Sequence, residues 1–205
     1  MYIARHLSNK RVSRSAFRAS ALITLLPKAQ NLVDGSVNFD GFVAIRGRLD
    51  KAVIDSPLGV GTGHMLTESS EYGTHLVKTT DMNFEGGVVY NMSVFVKTKD
   101  QGRHQLILDV NNGIFGEGGY VRFDMITKQF AFVDANDLCT HYVEYPDGWF
   151  RISVCAQALI TGITMGLKVY MIRYQTGSVY HGENKSVYVA GAQVTRGHKF
   201  RDFNP

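Results

Sequence analysis

The chain has 205 residues, 44% of them hydrophobic and 20% charged, with 21 Gly, 4 Pro, 12 Phe and 10 Tyr. That balance suits one soluble domain plus an extension, with strands joined by glycine turns, and makes an all-β protein the first expectation. The formal charge of +4 is uneven: Arg5, Lys10, Arg11, Arg14, Arg18 and Lys28 face no acid in residues 1–30, leaving 16 cations against 18 acids beyond them. A basic arm on a near-neutral body does not amount to a nucleic-acid-binding domain.

The arm, residues 1–30, is rich in Arg, Ser and Ala, as in an organellar transit peptide. Its apolar run at 21–26 is too short for a signal core or a membrane span, and no other stretch of the chain is apolar enough to be one. A helix over 13–26 would place Phe17, Ala21 and Leu25 on one side, with Arg14 and Arg18 beside them and Pro27 as its end. The segment therefore reads as a docking arm, with Arg5, Lys10, Arg11, Arg14, Arg18 and Phe17 as its contact residues. The bland alternative is a flexible basic tail.

Short strands are expected near 43–46 and 52–54, then a long loop marked by Pro57, Gly59, Gly61 and Gly63, then strands near 65–68 and 75–78. The first long strand is 88–97, where Tyr90, Met92, Val94 and Val96 face one way and Asn91, Ser93, Phe95 and Lys97 the other. The rhythm continues through 104–110, 120–125, 129–134 and 141–144. After a Pro146-Asp147-Gly148 turn comes a strand that opens on Trp149, the single Trp. Phe150, Ile152 and Val154 form its apolar face; Trp149, Arg151, Ser153 and Cys155 form the other. Further strands at 166–174 and 187–195 precede a polar tail, 196–205. The spacing and the Gly, Asn or Asp at nearly every break fit a sandwich or barrel, and no fixed-period repeat argues for a propeller or solenoid.

Several chemistries find little support. Cys139 and Cys155 cannot make a disulfide framework or a four-Cys zinc site, and the expectation is two reduced, partly buried thiols. The seven His are scattered, with no metal-ligand spacing. Glu117, Asp124, Asp134, Asp137, Glu144 and Asp147 lie near turns; a glycosidase needs only two carboxylates, so a hydrolase stays as a rival, but surface acids are the commoner explanation. The Gly-rich stretch 113–119 lacks the Lys and Ser/Thr of a phosphate loop. No cofactor or metal is implied. The arm's cations are not interleaved with aromatics, so nucleic acid is not the expected partner.

Trp149 has two readings: a packing residue of a sandwich, or an exposed platform for a ligand. Here a resemblance enters. Asn31-Leu32-Val33 followed by Phe39 resembles the "NLL…S…F" opening of the carbohydrate-binding-module-like β-sandwich domains frequent in tail and fibre proteins of tailed bacteriophages. Tyr90 to Lys97 is similar to their "YT.SVYVK" strand, Asp147 to Ser153 to their "GWYRVS", and Val187 to Val194 to their "IYVWGAQLE". The glycine before Trp149 and the Gly191-Ala192-Gln193 triplet are its most specific pieces. Ala190 stands where the family has an aromatic, which removes one candidate stacking ring.

The expected architecture is a jelly-roll-type antiparallel β-sandwich over 31–195, with a basic N-terminal arm and a C-terminal tail. What the resemblance implies is a non-enzymatic structural virion protein of a tailed phage, as head decoration, fibre or tail component. The arm would dock on capsid or tail proteins, and the sandwich would be displayed in several copies. The alternative is a receptor-binding module in which Trp149, Tyr120 and Tyr145 stack on host surface polysaccharide.

Overall fold

A computed structural model describes residues 30–110, 113–174, 176–197, 200 and 202–203. The strands in chain order are β1 (Val43–Ile45), β2 (Gly47–Ser56), β3 (Gly59–Glu68), β4 (Tyr72–Thr74), β5 (Leu76–Lys78), β6 (Met82–Phe84), β7 (Val89–Thr98) and β8 (Gln105–Asp109). They continue with β9 (Tyr120–Asp124), β10 (Gln129–Val133), β11 (Asp137–Tyr145), β12 (Trp149–Gln157), β13 (Gly162–Thr164), β14 (Lys168–Ile172), β15 (Val179–His181) and β16 (Ser186–Arg196). One six-stranded sheet has the order β1-β5-β14-β8-β9-β10 and the other β11-β12-β7-β16-β3-β2, with all pairings antiparallel. The fold is an all-β antiparallel sandwich. The proposed arm, with Arg5, Lys10, Arg11, Arg14, Arg18 and Phe17, lies outside the described residues.

The core follows from alternation. Phe150, Ile152 and Val154 on β12 meet Met92, Val94 and Val96 on β7 across the second sheet's inner face, all buried. Opposite them stand Leu106 and Leu108 of β8, Val121 and Phe123 of β9, and Val169 and Met171 of β14, in one continuous cluster. Aromatic contact crosses the layers: the Phe123 and Phe150 rings lie 5.6 Å apart. Burying a side chain of this size contributes about 1.5–3 kcal/mol.

Two local sequence features have clear physical causes. Asp147 and Gly148 both take positive φ, 60° and 77°, which closes the β11–β12 hairpin and sets Tyr145 opposite Trp149. In β16 the register shifts between Ala190 and Gln193, so the Gly191-Ala192-Gln193 triplet is a β-bulge with Gly191 at φ 45°. A Cβ on Gly191 would meet Leu58 at 2.5 Å and Phe203 at 2.9 Å.

Two expectations need correction. The long loop at Pro57, Gly59, Gly61 and Gly63 is a long hairpin of β2 and β3, with only Pro57 and Leu58 between the strands. Its glycines extend because β2 supplies pairing partners, and Gly63 lies so close to Ile54 and Trp149 that a Cβ there would clash at 2.6 Å. The cysteines are not free thiols: Cys139 and Cys155 face one another across β11 and β12 and are joined by a disulfide.

The second sheet's outer face is covered. Trp149 is 2% exposed and packs with Phe95 and Ala190 beneath Ile54, Leu58, Tyr188 and Phe203. Beside it Arg151, 1% exposed, donates to Ser93 Oγ at 3.0 Å and to Gln193 Oε1. The Phe200 ring lies over its guanidinium at 4.5 Å. Phe200 and Phe203, from the expected C-terminal tail, thus lie against this face.

Candidate functional site

The first sheet's outer face is different in kind. Directly paired residues of an antiparallel ladder point to the same side, so the register builds three rungs. The first runs Ile172, Gln105, Asp124, Gln129; the second Leu76, Tyr170, Ile107, Arg122, Phe132; the third Lys78, Lys168, Asp109, Tyr120. Their neighbours along each strand, such as Leu106, Leu108, Val121, Phe123, Val169 and Met171, belong to the core, which fixes the rungs as outward. In the middle of the face, outward residues are nonetheless scarcely exposed: Gln105 3%, Ile107 3%, Lys168 5% and Asp109 7%. The polar groups at the centre are thus largely shielded from solvent.

Its polar groups hold one another. Lys168 Nζ lies 3.1 Å from Asp109 Oδ2, and the pair is buried. Tyr170 hydrogen-bonds the same Asp109; burial first, and then that carboxylate's charge, push the phenol well above its ordinary range. Tyr120 is also raised, by burial and then by Asp109. Both phenols are therefore neutral donors at any physiological pH. On the first rung Gln105 Nε2 donates to Asp124 Oδ2 at 2.6 Å, while Gln105 Oε1 accepts from Arg122 Nε at 3.0 Å and from Arg122 Nη2. Asp124 is fixed in turn by the amides of Ile126 at 2.8 Å and Thr127 at 3.2 Å.

At the β9–β10 edge these residues border an open groove of about 440 Å³, lined by Tyr120, Arg122, Ala131, Phe132 and Asp134. The Tyr120 and Phe132 rings meet edge to face at 5.6 Å. Phe132 is 50% exposed, so one wall presents an aromatic surface to solvent. Rings beside fixed hydrogen-bonding groups are what a sugar requires, since its faces carry C–H groups and its rim hydroxyls.

The structure separates the three rings expected to bind together. Tyr120 lies on this face. Trp149 and Tyr145 pair with each other on the opposite sheet, where Trp149 is buried and Tyr145 packs 5.2 Å from Phe95. Burial removes Trp149 as a stacking platform: both the β2–β3 hairpin and Phe203 lie against its cluster. Tyr170, Arg122, Phe132 and the Lys168–Asp109 pair are additions that sequence reasoning missed. The available signal was the alternation in 168–172, which puts Lys168, Tyr170 and Ile172 on the side away from Val169 and Met171.

The other buried acid, Glu68, is fully engaged. It accepts from Arg103 Nη2 at 2.8 Å, from the Tyr180 hydroxyl at 2.7 Å and from the Glu183 amide at 2.7 Å, which fastens the end of β3 to the approach to β16. Among the described residues no group of His, Cys, Asp and Glu is placed to hold a metal ion.

No family model matches the chain, and no curated protein matches it. Among solved structures, 86% of the chain superposes on the CBM22-1–GH10 modules of endo-1,4-beta-D-xylanase 10B of Clostridium thermocellum complexed with xylohexaose, at 18% identity and TM-score 0.46, covering 30% of that chain. A second is a glycoside hydrolase family 43 arabinoxylan arabinofuranohydrolase of Bacillus subtilis in complex with cellotetraose: 77% of the chain, 11% identity, TM-score 0.36, 27% of that chain covered. The chain thus spans less than a third of either.

Proposed function

We propose that the chain is a non-catalytic carbohydrate-binding module whose ligand lies across the outer face of the first sheet. One observation carries this reading: Tyr120 and Tyr170 flank a buried Lys168–Asp109 pair on a face whose donors and acceptors are already fixed in place. Fixed groups lose little freedom when a ligand arrives, which matters for a ligand made mostly of hydroxyls. Non-enzymatic action is supported by how the acids of the face are used, Asp109 with Lys168 and Tyr170, Asp124 with Gln105 and two amides. A virion setting, with the arm of residues 1–30 as the attachment to capsid or tail proteins, belongs to the same proposal and rests on the sequence resemblance alone.

Binding at one such site should be no tighter than about the high-micromolar range, and display in several copies would make it firm. Affinity electrophoresis in gels containing bacterial surface polysaccharides tests the assignment. Tyr120→Ala and Tyr170→Ala should each weaken retardation by at least about fivefold, as expected for loss of a ring contact of about 1 kcal/mol. Phe203→Ala, on the opposite sheet, should leave it unchanged. Retardation insensitive to both tyrosines would refute the placement of the site.

A further inference from the structure

We propose that the groove beside Tyr120 takes the carboxylate of an acidic sugar on Arg122, an inference that rests on the carbohydrate reading of this face. Arg122 is half-buried and always charged, yet its bonds among the described residues are all to neutral oxygens: Gln105 Oε1 and, at 3.4 Å, the Tyr174 carbonyl. Its Nη1 makes no bond among the described residues. A guanidinium held on one side by neutral acceptors keeps its charge and part of its fork for a ligand, and a carboxylate matches that fork.

The Asp124–Gln105–Arg122 relay orients the group before any ligand arrives. Gln105 can bridge the two because its amide donates on one side and accepts on the other. Asp124 stays out of direct contact with Arg122, since Gln105 and two turn amides occupy it. A direct Asp124–Arg122 ion pair would have cancelled the charge; the intervening amide positions the guanidinium without neutralising it.

The remaining charges point the same way. Lys168 is matched by Asp109, but Lys78 stands directly across from Lys168 with no carboxylate bonded to it among the described residues, so the third rung adds a second cation. Asp134, on the groove wall, is the opposing charge. Burial, and then the charges of Asp109 and Glu117, raise its pKa, which weakens that opposition as the medium becomes acidic. A neutral glycan offers Arg122 only hydroxyls; a uronic acid offers a charge-assisted, two-point contact.

Isothermal titration of the full chain with oligogalacturonate, oligomannuronate and oligoglucuronate, each beside its carboxyl-reduced counterpart, tests the inference. At least one acidic oligosaccharide should bind about tenfold tighter than its reduced form. Arg122→Gln should abolish that margin, and an unchanged circular-dichroism spectrum and melting temperature report that the variant is folded. Arg122→Lys should recover part of the margin, because it restores charge without the fork. Equal affinities within every pair, or a margin that survives Arg122→Gln, would overturn the acidic-sugar inference and leave the carbohydrate reading standing. Binding of no member of any pair would overturn both.

Discussion

Asp137 opens β11 with its carboxylate turned inward, accepting the Gly119 amide at 2.6 Å and the Asp134 amide at 3.2 Å. It thereby fixes the turn that carries Asp134 past Tyr120, next to the groove. Burial, and after it the Asp134 charge, raise its pKa to about 6 despite those bonds. An acid raised in the folded state contributes stability that is fully present below its unfolded pKa of about 3.9 and is lost as pH rises through about 6. Asp137→Asn cannot ionise. Its melting temperature relative to the unsubstituted protein should therefore be more favourable at pH 7.5 than at pH 4, and thermal melts at the two pH values check this. An equal difference at both would show that the carboxyl does not titrate in this range. Such a residue reads in the sequence as one more acid near a turn, because its burial depends on β9, β10 and β11 meeting, and local pattern carries no record of that.

The second sheet shows both what local pattern fixes and what it leaves open. The alternation over Trp149 to Cys155 places Phe150, Ile152 and Val154 in the core, where they are, since a period of two follows from strand geometry alone. It leaves open whether the other face is wet. Arg151, on that other face, lies beneath Phe200, held by Ser93 and Gln193. Burial lowers its pKa, and the nearby Tyr145 and Asp202 oppose that shift. A double-mutant cycle of Arg151→Ala with Phe200→Ala should give a coupling of about 0.5–2 kcal/mol in denaturant unfolding. Additive effects would mean that the C-terminal segment rests on the sheet without energetic contact to the guanidinium. The disulfide was legible in principle: with Tyr145 opposite Trp149, counting back along the hairpin brings Cys139 opposite Cys155. The count requires the loop length, and the Pro146-Asp147-Gly148 turn supplied it.

On the scale of the whole molecule the two outer faces divide the work. One is covered by the β2–β3 hairpin and Phe203 and buries the single Trp; the other is polar and aromatic. The sandwich class was legible because it follows from strand length, alternation and turn chemistry, all of them local. The proposed binding face was not, because Asp109, Tyr120 and Lys168 become neighbours only through the strand order β14-β8-β9, and Asp109 and Lys168 are 59 residues apart. In sequence each looks like an ordinary surface residue. Of the two readings of Trp149, the structure fits the packing residue and not the exposed platform. The central claim, that the first sheet's outer face is the ligand surface, is tested most directly by amide chemical-shift mapping of the isotope-labelled chain titrated with the polysaccharide that retards it in gels. The account predicts that shifts concentrate on β8, β9, β10 and β14, around Asp109, Tyr120, Arg122, Phe132 and Tyr170. Shifts concentrated around Arg151, Tyr145 and Phe203 on the opposite sheet would contradict it.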